Sequence, residues 1–146
     1  MRALTLHRPW PWAILHAGKR FENRSWEPKL EIGEIFAIHA GATYDMSAAT
    51  WMIRYMNVHP ALPDADPVGI VALARYGGIT VESDSPWFFG PLAWKLTEVW
   101  PVNPPIAVPG QQKLWYVHDD IAVRLLKIVH EWTPIQPRPF VDSTSY

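Results

Sequence analysis

Cysteine is absent from this 146-residue chain, which excludes a disulfide framework and a thiolate zinc site. No apolar run approaches the ~20 residues of a membrane-spanning helix, and the first residues lack the charged-then-apolar layout of a secretory signal. A cytoplasmic protein with no membrane partner is expected. Strong charge of one sign is missing too: the formal net charge is −1, so the overall field does not draw in nucleic acid. There is no His-x-x-x-His pair, no P-loop or Rossmann glycine pattern, and no Gly-x-Ser-x-Gly setting around Ser83 or Ser85. Neither a metal nor a cofactor is expected.

What is abundant is equally informative. The chain is 49% hydrophobic, with nine tryptophans and fifteen prolines. That is enough apolar material for a core without covalent staples, and the prolines imply many connections and few helices. Strands are expected over residues 2–7, 20–26, 34–40, 68–75, 92–99 and 106–108 from their alternating or wholly apolar character, with Gly41 ending the third and Gly77-Gly78 the fourth. Helices are expected over 10–17, with Pro9 and Pro11 in its first turn and Gly18 past its end, and over 44–57 with a stripe of Trp51, Met52, Tyr55 and Met56. A last helix is expected to be capped by Asp119 or Asp120, with Ile121, Leu125, Ile128, Val129 and Trp132 on one face and Arg124 and Lys127 on its solvated side. The expected architecture is α+β, a small, partly open mixed barrel of about five to six strands with two to three flanking helices. Residues 1–132 read as one domain and 133–146 as a Pro-rich tail.

One stretch concentrates the chemistry. Leu6 to Trp26 holds Arg8, Lys19, Arg20 and Arg24, His7 and His16, three tryptophans and Glu22. Five of the thirteen Lys and Arg residues lie in positions 1–26 against a single acid, Glu22, while the rest of the chain is acidic. Basic side chains neutralise phosphates and aromatic faces stack unpaired bases. Arg8, Lys19, Arg20 and Arg24 are the candidates for phosphate; Trp10, Trp26 and the Trp87-Phe88-Phe89 loop are the candidates for base stacking. Trp12, Trp94 and Trp115 read as core. Strand alternation over 20–26 puts Phe21, Asn23 and Ser25 on one side and Glu22, Arg24 and Trp26 on the other. Lys19 beside Glu22 is a proton-handling pair in a cleft, since burial brings a lysine pKa down. His7 and His39 are further acid–base candidates.

The motifs resemble the ASCH (activating signal cointegrator homology) domain of the PUA-like superfamily. The resembling pieces are Leu6-His7-Arg8-Pro9-Trp10, Trp12-Ala13-Ile14-Leu15, Gly18-Lys19-Arg20-Phe21-Glu22-Asn23-Arg24-Ser25-Trp26, His39-Ala40, Gly69-Ile70-Val71, Trp87-Phe88-Phe89-Gly90-Pro91 and Pro109-Gly110-Gln111 with Leu114-Trp115. They run in order over about residues 3–116. The resemblance implies a small PUA-like β-barrel with a nucleic-acid or nucleobase cleft beside the first helix. Some small ASCH-like proteins are amidohydrolases on N4-acetylcytidine, built around a Lys, a nearby Thr and a later Glu. Those positions map to Lys19 or Arg20, to Asn23 where the family has Thr, and to Glu82. Ribonuclease activity is also associated with bacterial ASCH-like proteins.

Two functions follow. One is a binding module for single-stranded nucleic acid, RNA favoured, or for a modified nucleobase, through Arg8, Trp10, Lys19, Arg20, Arg24, Trp26 and Trp87. The other is a small hydrolase of a nucleoside or RNA, with Lys19 and Glu22 as its catalytic residues.

Overall fold

Consecutive apolar residues along the central strands suit a sheet covered on both faces, and the chain forms one, with a helix packed on each face. A computed structural model describes residues 1–136. In chain order the elements are β1 (Arg2–Arg8), α1 (Trp10–His16), β2 (Phe21–Arg24), β3 (Ile35–Tyr44), α2 (Met46–Met56), β4 (Gly69–Thr80), β5 (Leu92–Ile106), β6 (Leu114–Tyr116) and α3 (Asp119–Glu131). The strands make one six-stranded mixed sheet in the order β2-β5-β4-β3-β1-β6. Only β1 and β3 run parallel; the other pairings are antiparallel. β2 and β6 are the two edges and do not pair with each other, so the expected barrel does not close.

Alternation along the central strands feeds two cores. Leu4, Leu6, Phe36 and Ile38 pack with Ile14 of α1 on one face. Ala3, Ala37, Leu73 and Trp100 pack with Leu125 of α3 on the other. A third cluster joins Ala13 of α1, Met52 and Met56 of α2, and Trp87.

A parallel pair needs a long crossover between its strands. The crossover from β1 to β3 is the chemically dense stretch itself. It leaves β1 at Arg8, crosses the sheet as α1, which touches β1, β3, β4 and β5, and returns along the far edge as β2, paired to β5 with Glu22 opposite Trp94. This route brings Lys19, at the α1–β2 turn, down beside the sheet edge. Gly18 takes φ +72 in that turn, a conformation that favours glycine.

Several boundaries differ from expectation. Gly77-Gly78 does not end β4. The pair sits at a register shift between Tyr76 and Ile79, and a Cβ at Gly77 would lie 2.4 Å from the Thr97 side chain. Gly41 does not end β3; its missing side chain leaves room for Thr5. The expected strands 92–99 and 106–108 are one long β5. Pro104 and Pro105 fall where β5 shifts register between Pro101 and Ile106, a place where a missing N–H breaks no ladder. His118, not an aspartate, caps α3 by accepting from the Asp120 N–H. Asp45 caps α2 by accepting from Ala48 N–H at 3.0 Å. The expected tail starts as an attached segment: Ile135 donates its N–H to Val99 O at 2.7 Å and packs on the first core. Residues 137–146 of that tail lie outside the described residues. Among the described residues, no helix is long and apolar enough to cross a membrane.

Candidate functional site

Lys19 is the most deeply buried cation of the described chain, 2% exposed, and Glu22 is 7% exposed. The Lys19 ammonium donates to the carbonyl of Phe21 and sits 3.5 Å from Glu22 Oε2. Arg24 Nε lies 3.3 Å from Glu22 Oε1, so Glu22 and Arg24 do share a strand face. One carboxylate thus serves two cations. Burial is the largest influence on the Lys19 pKa and pulls it below the ordinary lysine value; Glu22 opposes that pull and Arg24 adds to it.

Above this group lies a cleft of about 170 Å³ lined by Trp10, Lys19, Glu22, Asn23 and Phe89. The Lys19 ammonium is 5.4 Å from the Trp10 ring centroid, a cation–π distance. The Trp10 and Phe89 rings are 6.0 Å apart at 63°, giving two aromatic walls over a polar floor. The volume is below the ~300–1,000 Å³ typical of drug-sized ligand sites and suits one ring system.

Asn23 assembles the second wall. Its side-chain NH₂ donates to Trp87 O at 3.0 Å, and its carbonyl oxygen accepts from the N–H groups of Phe89 and Gly90 at 2.7 and 3.1 Å. That occupies three of the four hydrogen bonds an asparagine amide offers, all in the loop that carries Phe89. Asn23→Ala leaves those backbone groups unpaired. We expect a loss of about 1–3 kcal/mol in chemical denaturation and a shift of the Phe89 resonances by NMR. An unchanged Phe89 environment would show that the loop holds itself.

The other sequence candidates go elsewhere. Arg8, expected at phosphate, is 7% exposed and donates to four backbone carbonyls: Gly41, Ala42, Pro63 and Asp66. Arg20 donates to the carbonyls of Ile14, Lys19 and Ile135. Trp26 packs edge-on against Trp94 at 5.0 Å and flanks the first core. Trp87 is 5% exposed and supports the cleft from behind; its neighbour Phe89, 49% exposed, is the residue in the cleft. Among the described residues only Arg24 of the four proposed phosphate cations is neither buried nor spent on carbonyls. Glu82 is exposed and does not line the cleft.

A second, larger cleft of about 450 Å³ includes Thr5, His7, His39, Gln111 and Gln112. His39 there is 1% exposed and spends both ring nitrogens on its own chain. Nε2 donates to Val108 O at 2.7 Å, and Nδ1 accepts from the Thr5 hydroxyl at 3.2 Å, which itself accepts from Trp115 Nε1 at 3.0 Å. This histidine closes a packing network, and the exposed His7 is the other histidine lining that cleft. Among the described residues no group of three or more His, Asp or Glu side chains is arranged to hold a metal ion.

No protein-family model matches the chain, and no curated protein matches it significantly. The functional reading therefore rests on the cleft itself. The sequence reading named the Trp87-Phe88-Phe89 loop but singled out Trp87 within it, where Phe89 is the residue that lines the cleft, and it missed Asn23 as the anchor of that loop. The signal available was only the position of both beside Trp87 and Glu22.

Proposed function

We propose that the cleft binds a single unstacked nucleobase, carried by a nucleoside or by single-stranded nucleic acid, with RNA favoured. The observation that carries this reading is the buried Lys19–Glu22 pair at the floor of a cleft walled by Trp10 and Phe89. A flipped-out base is recognised by stacking on aromatic faces and by hydrogen bonds along its polar edge. Here the rings supply stacking, the ammonium a donor and the carboxylate an acceptor. The resemblance to ASCH domains supports the same location, since Lys19 and Glu22 are both part of the matching stretch. A PUA-like relationship would then take the form of an open sheet.

With Arg8 and Arg20 committed to carbonyls, the phosphate contribution is small. Binding of a single-stranded oligonucleotide should therefore change little between low and moderate salt. Calorimetric titration with the four ribonucleosides and N4-acetylcytidine tests the reading. At least one should bind the wild type, and Lys19→Met should weaken it by tenfold or more. Absence of binding by all five would contradict it.

The lowered Lys19 pKa favours a second reading. Once its proton is lost, the Lys19 amine can take one from water; the hydroxide adds to the acyl carbon of N4-acetylcytidine, the C–N bond breaks, and the proton passes from Lys19 to N4, releasing acetate and cytidine. Asn23 is no nucleophile and its amide is already bonded, so Lys19 and Glu22 would carry such a reaction alone. Turnover in the wild type that survives Lys19→Met would remove this role.

A further inference from the structure

The aromatic lining of the cleft does not stop at its rim. Phe89 contacts Trp51 of α2 at 4.9 Å between ring centroids, nearly perpendicular at 81°. Trp51 in turn lies 6.2 Å from Tyr55, at 38°. Trp51 and Tyr55 are four residues apart and so share a helix face. The buried side of this cluster is already filled by Trp87, Met52 and Met56. Packing therefore accounts for Trp51 but not for Tyr55, which is 64% exposed, nor for the outer half of Phe89. The result is a run of rings from the cleft wall to open solvent: Trp10, Phe89, Trp51, Tyr55. Tyr55 has no acidic neighbour on its own helix: α2 contains Arg54 and no acidic residue between its cap Asp45 and Met56.

We infer that the cleft takes its base from a strand and that the neighbouring base of the same strand stacks along Phe89, Trp51 and Tyr55. This rests on the base-binding reading and adds to it the ligand class: an oligonucleotide is preferred over a free nucleoside. Every base has a π-face, so the ladder is tolerant of the flanking sequence. Selection stays with the Lys19–Glu22 floor. The linking phosphate passes a helix surface that does not repel it.

The test compares, on the full chain, the tightest-binding nucleoside with a trinucleotide carrying that base between two uridines. Wild type should hold the trinucleotide about 5- to 150-fold more tightly, the worth of one added stack. Tyr55→Ala should leave nucleoside affinity unchanged and cut that advantage several-fold, while Tyr55→Phe, which keeps the ring, should retain it. Equal affinity of wild type for the two ligands, or an advantage untouched by Tyr55→Ala, overturns the ladder while leaving the cleft reading intact. Binding of neither ligand overturns both.

Discussion

Glu22→Leu is expected to lower stability by about 3–5 kcal/mol at neutral pH, the typical cost of breaking a buried ion pair from one side. Glu22 faces Lys19 at 3.5 Å and Arg24 at 3.3 Å. Arg24 is partly exposed and can turn to water, but Lys19 is buried at the cleft floor at 2% exposure. Without the carboxylate, its ammonium keeps only the Phe21 carbonyl and the Trp10 ring. The pH dependence has a definite sign. Burial already holds the Lys19 pKa below its ordinary value, against the raising influence of Glu22. Removing Glu22 lowers it further. Between that lowered value and the ordinary lysine value near 10.4, the unfolded chain holds a proton that the folded chain has released. Stability of the variant therefore climbs as pH rises through that window. The double variant Lys19→Met with Glu22→Leu should recover much of the loss, which a double-mutant cycle by urea denaturation measures. A loss below 1 kcal/mol in the single variant would mean that the pair is solvated.

Arg8→Met should cost about 3 kcal/mol or more, in the range reached when a buried hydrogen-bond network is broken. Its guanidinium holds two segments together: the end of β3, through Gly41 and Ala42, and the loop at Pro63 and Asp66. Arg8→Lys should fail nearly as badly, since one ammonium cannot replace a planar fork that reaches four acceptors. Burial raises the Asp66 pKa and Arg8 partly offsets it. Without Arg8 the carboxyl rises further, so the folded chain keeps a proton that the unfolded chain loses above the ordinary carboxylate range. The variant should thus lose additional stability as pH rises above the ordinary carboxylate range. Hydrogen exchange should quicken around residues 61–67. A solvated phosphate-binding arginine would instead change stability by no more than about 0.5 kcal/mol and would weaken nucleic-acid binding.

These two residues also show what could be read from the chain beforehand. Lys19 and Glu22 are three positions apart, and the Glu22–Arg24 face follows from strand alternation, so the floor of the cleft was legible locally. Both long helices were legible from periodicity and helix-end chemistry. Arg8 was not, because its partners lie 33 to 58 residues away and a buried arginine looks like a surface one in sequence. The aromatic wall was placed one loop correctly and two residues off. Which of Trp87 and Phe89 faces the cleft depends on the grip of Asn23 from 66 residues away. Gly77-Gly78 read as a stop because glycine marks bulges and chain ends alike. The barrel expectation failed at the edges: β2 and β6 each find a partner on one side only, and nothing in their local pattern says whether they meet.

The most direct test of the base-binding cleft follows the tryptophan indole N–H signals by NMR during titration with the best-binding nucleoside. Trp10 lines the Lys19 cleft, whereas Trp115 is bonded to Thr5 beside the larger His39 cleft. The Trp10 signal should move and saturate with the binding isotherm while the Trp115 signal stays in place. A shift confined to Trp115, with Trp10 unmoved, would put the ligand in the other cleft and contradict the assignment.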